Sequence, residues 1–200
     1  MNPASAVSSS FNNGQTLVDT PRDAAVVLHV RSYGDSDGIV TLFTLLQGRA
    51  GVFMRGLRSH KRKQTLQPLY EIALELHKRP GSELFVAQAL DIVKPHLRLS
   101  EELVRLAAAS AWLEAYRDLF HDGDADAAAY ALLVETLDTL EREPPRVTLS
   151  RALEQLAAQV GYEAPSGQAS VREVRSQVTA LEQVCGHTLS AHRFFLEVAE

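Results

Sequence analysis

Two hundred residues, 46% of them hydrophobic, provide enough apolar side chain for one large domain or two small ones. The net charge of −5 conceals a division: residues 22–98 hold 12 Lys+Arg against 7 Asp+Glu, a net of +5, while residues 99–200 hold no lysine and a net of −9. A polyanion would therefore meet the first half, and the acidic half is left for proteins or solvation. The N-terminus lacks a signal-peptide pattern, no window approaches the ~18 apolar residues of a membrane span, and Cys185 alone can form neither an intrachain disulfide nor a multi-cysteine zinc site. The cytoplasm is the expected compartment.

Residues 1–21, with Ser8-Ser9-Ser10 and Asn12-Asn13-Gly14, have little periodicity and read as a disordered leader. From Ala24 the chain turns to short β-rich runs. Val26 to Arg31 predicts a strand with Val26, Leu28 and Val30 on one face, and Tyr33 to Gly38 predicts a turn. Ile39 to Leu46 and Val52 to Arg55 follow as strands. Leu69 to Lys78 alternates cleanly, with Tyr70, Ile72, Leu74 and Leu76 on one side, and Leu84 to Val93 makes a fifth strand. Five short strands within about 70 residues suit a small closed barrel of the OB type, whose strand faces and loops bind single strands.

Between the third and fourth strands, Met54 to Lys63 places five cationic side chains in ten residues. Such a cluster is self-repulsive in isolation, and counterion release on meeting nucleic acid offsets that cost. Arg49, Arg55, Arg58, Lys61, Arg62 and Lys63 are the expected phosphate contacts. Phosphate contact fixes position without reading sequence, so weak sequence preference and steep salt dependence should follow. Phe53 shares a strand face with Arg55 and could stack a base, but a barrel-core role is the expectation, since a small barrel needs aromatic volume.

After Pro95 the composition shifts to Ala, Leu and Glu and the period to that of helices. Ser100 is read as the N-cap of a first helix with Leu103, Leu106, Ala107, Ser110, Leu113 and Phe120 on one stripe, ending at Asp122-Gly123-Asp124. Further helices are expected from Asp126 to Glu141, stopped by Pro144-Pro145, from Thr148 to Val160, from a Ser170 cap to Gly186, and from Ser190 to Ala199. The fold is thus expected to be α+β and multidomain: a five-stranded OB-type barrel over 22–95, then an all-α domain over 96–200.

Trp112 and Tyr116, one turn apart, suit packing between domains. Asp35-Ser36-Asp37, flanked by glycines, is read as turn chemistry and not as a metal site, and Cys185, His187 and His192 match no familiar ligand spacing. No metal or other cofactor is expected. There is no P-loop, GxSxG elbow, HExxH or dinucleotide fingerprint, so a non-enzymatic binding protein is the economical reading.

The string Ser32-Tyr33-Gly34-Asp35-Ser36-Asp37-Gly38-Ile39-Val40-Thr41-Leu42-Phe43-Thr44, followed by Gly48, Arg55-Gly56-Leu57-Arg58-Ser59 and Leu66-Gln67-Pro68-Leu69, resembles the RecO family of bacterial DNA repair and recombination mediators. The resemblance is specific over about 22–95. Beyond, it thins to the helical run Leu103–Leu119 and to Leu156–Tyr162. It implies a barrel that binds single- and double-stranded DNA, a nucleoid-associated protein that anneals complementary strands, and a helical half that contacts RecR and the single-stranded DNA-binding protein SSB so that RecA can load. Many members of the family carry a four-cysteine zinc finger after the Gly-Tyr pair; here Gly161-Tyr162 leads into Glu163-Ala164-Pro165-Ser166, and no such finger can form. Two other readings stay open: an RNA-binding OB protein, which selective binding through the 2′-hydroxyl would reveal, and a nuclease or hydrolase with a site between the domains, which metal-dependent turnover would reveal.

Overall fold

The computed structural model describes residues 22–57, 65–161 and 171–199. The leader, the loop cations Arg58, Lys61, Arg62 and Lys63, the Ser170 cap and the stretch after Gly161 lie outside the described residues. Five strands, β1 (Asp23–Tyr33), β2 (Asp37–Thr44), β3 (Gly48–Met54), β4 (Glu71–Lys78) and β5 (Phe85–Lys94), close into a barrel in the order β1-β2-β3-β5-β4. All neighbours are antiparallel except β3 and β5, which run parallel through two residue pairs, Val52 opposite Phe85 and Phe53 opposite Val86. This is the five-stranded OB-type barrel expected from the strand spacing, followed by helices α1 (Leu103–Leu119), α2 (Ala127–Leu140), α3 (Pro145–Gln159), α4 (Val171–Cys185) and α5 (Ser190–Val198). Among the described residues no helix is long and apolar enough to cross a membrane.

Alternation fills the barrel. Val40 and Leu42 of β2, Val52 and Met54 of β3, and Ile72, Leu74 and Leu76 of β4 face a common interior, as period 2 requires. In β1 the register shifts between Val27 and His29, a bulge at Leu28 that breaks the simple alternation. Val26 and Leu28 consequently pack toward the helices, while Val30, expected on their face, packs against the barrel core instead. Phe53 is also not where barrel volume would have placed it. Ala50, Val52 and Met54 take the interior face of β3, so alternation leaves Phe53 half-buried on the outer one.

The helical half is built around α1. Ala107 to Ala109, Ala111 to Leu113, Ala115 and Tyr116 are all buried, and α1 packs on α2, α3, α4, α5 and the outer sides of β1 and β2. A helix enclosed on most sides has no single stripe, and its alanines let neighbours approach closely. Leu103, expected on the buried stripe, is 57% exposed, and Ser100 closes a 3-10 turn (Leu97–Ser100) before a helix whose N-cap is Glu102. Asp126 caps α2 by accepting from the amides of Ala128 and Ala129. Pro144 and Pro145 end the run after α2, yet Pro145 also occupies the first turn of α3, where its missing N–H costs nothing.

The two halves meet through aromatic rings. Phe43 of β2 is fully buried against Tyr116 and Phe120, with centroids 5.0 and 4.9 Å away. Trp112 and Tyr116 are fully buried too, and each donates a hydrogen bond to a carbonyl of α2, Leu133 and Ala129 respectively. Packing is the role the sequence assigned to this pair. At the β2–β3 hairpin Gly48 adopts φ 66°, and a β-carbon there would stand 2.0 Å from the Asp124 carbonyl oxygen, so glycine lets the hairpin dock on the α1–α2 connection.

Candidate nucleic-acid interface

The basic run leaves β3 at Arg55, and its base is fixed from several directions. Asp37 accepts the Gly56 amide at 2.8 Å, and Leu57 enters the barrel core. Gly38 leaves the space that Leu57 uses, since a β-carbon there would lie 2.3 Å from Leu57 Cδ2. On the return, Leu66 enters the same core. Arg58, Lys61, Arg62 and Lys63 fall between these two anchors. Asp37 therefore serves backbone geometry at the neck of the loop, in keeping with a turn role and not a metal one.

The strand face beside the loop is shared between two uses. At one end it is occupied by the helices: Phe43 is covered by α1, and Arg49 pairs with Asp122 at 2.8 Å while its Nη1 donates to the Arg117 carbonyl. Arg49 thus sits away from the loop, tying β3 to the α1–α2 connection. At the other end the face is open. The pairing register aligns Arg31, Ile39, Phe53, Val86 and His77 in one row around the barrel, and the row faces outward because its neighbours Val40 and Val52 face in. Tyr33, 56% exposed at the end of β1, meets Phe53 edge to face with centroids 5.9 Å apart and planes at 89°. Phe53, Tyr33 and Arg31 share one side of the sheet, and Arg55, which is exposed, lies in the turn directly after β3.

Partial burial, and then the positive charges of Arg117 and Arg31, hold the His29 imidazole below its ordinary value. Arg31 and Arg117 thus both lie close enough to His29 to disfavour its protonation, although burial is the larger cause. The strand 2–3 face and its flanking loops are where OB barrels receive oligonucleotides, and here the helices leave the loop-proximal part uncovered.

Residues 19–96, which include every strand just described, match the family model "Recombination protein O N terminal". The barrel is similar to that of the RecO family. RecO-family relatives extend the likeness into the helices. The chain is 34% identical over 139 residues to "DNA repair protein RecO" of Anaeromyxobacter dehalogenans, covering 68% of this chain and 55% of the relative. A protein of the same name from Salinibacter ruber is 33% identical over 129 residues, 64% of this chain and 50% of the relative. The one from Streptomyces avermitilis is 33% identical over 156 residues, 72% and 62% respectively. The chain spans about half the length of the first two relatives.

One group among the described residues of this chain presents ligand atoms to a common point: Glu71, His96 and Asp138, within 4.8 Å of one another. Its chemistry is that of an ion-pair clasp. His96 is buried, with Nε2 2.7 Å from Glu71 of β4 and Nδ1 3.3 Å from Glu141 beyond α2, and the Lys94 ammonium already sits on Asp138 and near Glu141. The hydrogen bond that Lys94 donates to the Asp138 carboxylate raises the ammonium above its ordinary value, which keeps that cation charged inside the cluster. Cys185, His187 and His192 do not converge: His192 is buried on Glu114, His187 faces Asp118 at 3.9 Å, and burial followed by the charges of Asp118 and Glu114 pushes the Cys185 thiol up.

Sequence reasoning assigned no role to Arg31 and His29. Their signal was present, since alternation from Val30 places both, together with Tyr33, on the strand face opposite an apolar neighbour.

Proposed function

We propose that this chain is a DNA repair and recombination protein that binds single- and double-stranded DNA without catalysis. The observation that carries this reading is the open strand face next to the anchored basic loop, on a barrel similar to that of the RecO family. In this reading residues 22–95 bind DNA through Arg55, Arg58, Lys61, Arg62 and Lys63, with Arg49 contributing charge from its place in the domain tie. Residues 96–200 bind protein partners: RecR and SSB, with RecA loaded in consequence. Annealing follows from charge neutralisation, since two strands held on a cationic surface repel each other less.

The experiment is annealing of complementary oligonucleotides coated with SSB, with and without the protein, alongside DNA binding over a salt series. Acceleration is expected, as is a steep salt slope that flattens when Arg58, Lys61, Arg62 and Lys63 are replaced by Gln. Unchanged binding of that variant at matched salt would remove the loop from the site. Magnesium- or manganese-dependent cleavage of the DNA would overturn the non-catalytic reading.

A further inference from the structure

Every contact between two aromatic rings among the described residues involves Phe43 or Tyr116, inside the junction of barrel and helices, except Tyr33 with Phe53. That pair lies on the open face. Tyr33 has more than half its surface in solvent, so the fold gains little from burying it, while its edge-to-face contact with Phe53 sets the ring's orientation. Ile39, opposite both Arg31 and Phe53 in the register, extends the apolar floor; the exposed Arg31 shares its row on β1, and the exposed Arg55 follows directly after β3. Aromatic and apolar surface between cations matches a strand whose bases are unstacked and whose phosphates run alongside. A duplex offers the phosphates but seals the base faces.

We propose that Tyr33 and Phe53 stack unpaired bases of single-stranded DNA and give this face its preference for single over double strands. The proposal rests on the reading that the face binds DNA, and it adds what phosphate contacts cannot supply. Cationic contacts serve both forms of DNA, whereas stacking serves one.

The test uses the full chain with a labelled oligothymidine and a blunt duplex of equal length at one salt concentration. Tyr33→Leu and Phe53→Leu are expected to weaken oligothymidine binding about tenfold and leave duplex binding within about twofold, while Tyr33→Phe, which keeps the ring, binds like the parent. Equal losses on both DNAs, or none, would overturn the stacking role. Failure of the parent to bind either DNA would instead overturn the underlying reading, and tighter ring-dependent binding of the matched RNA would overturn the assignment to DNA. A second measurement needs no substitution: photocrosslinking to an oligonucleotide carrying 5-iododeoxyuridine should label Tyr33 or Phe53, and labelling confined to other residues would count against the proposal.

Discussion

Gly48 and Arg49 show how much of the domain junction rests on single positions. The Gly48 site has positive φ and meets the backbone of Asp124, and the next residue accepts the Gly123 amide at 3.0 Å while its side chain reaches Asp122. Gly48→Ala therefore combines backbone strain with a clash that no flexible side chain can absorb, and should cost roughly 2–4 kcal/mol in urea unfolding. A cost under about 1 kcal/mol would mean that the hairpin is not held against the connection. At this scale the sequence was legible where a residue type has one use, as for Asp126 at an N-cap. It was not legible for Arg49, because a cation in a basic half looks the same whether it meets a phosphate or an aspartate 73 residues away. Phe53 was misjudged for a related reason: aromatic volume predicts burial, but the phase of β3, with Ala50, Val52 and Met54 inward, decides which face the ring takes.

Among the elements, α5 depends most on a partner. Its first turn carries no capping side chain of its own; instead Glu114 of α1 accepts the amides of Ala191 and His192, at 2.9 and 3.1 Å, and the His192 ring at 3.0 Å. Burial alone would raise the Glu114 carboxyl, but these hydrogen bonds outweigh it and hold the group below its ordinary value of 4.5. A carboxyl depressed in the folded state contributes its stability above that ordinary value and loses it as pH falls through the depressed one. Glu114→Gln should accordingly lower the unfolding free energy measured in urea at pH 7, by about 1–3 kcal/mol, and reduce the loss of stability between pH 5 and 3. An acid profile identical to the parent's would show that the link is not formed in solution. Strand and helix identities were legible throughout because periods of 2 and 3.6 leave clear marks. The Leu28 bulge and the all-round burial of α1 were not, since both are imposed by what packs against the element.

For the whole molecule, barrel and helices are joined at three places, the aromatic junction around Phe43, the contact of Gly48 and Arg49 with the α1–α2 connection, and the clasp of Glu71, Lys94, His96, Asp138 and Glu141. His96 is held by groups from both halves, so His96→Ala should strip the half-buried Glu71 carboxylate of its hydrogen bond, while Lys94 still serves Asp138 and Glu141, and cost roughly 1–3 kcal/mol. Loss of coincidence between the unfolding of barrel and helices, followed by tyrosine and Trp112 fluorescence against far-ultraviolet circular dichroism, is the expected signature. Unfolding that stays coincident and equally stable would place the coupling in the other two contacts. The architecture was legible from the order of strand-like and helix-like segments, but the clasp was not, because its members are scattered from residue 71 to 141 and no spacing announces them. The barrel itself closes lightly, through the two pairs that join β3 to β5. A seam so short is where the cylinder breathes: amide exchange with solvent should begin there by local opening, ahead of the longer antiparallel ladders. Phe53 belongs to that seam. A strand lying across it would stitch the cylinder from outside, so occupancy and closure become linked equilibria, and whatever tightens the barrel also prepays part of the cost of binding.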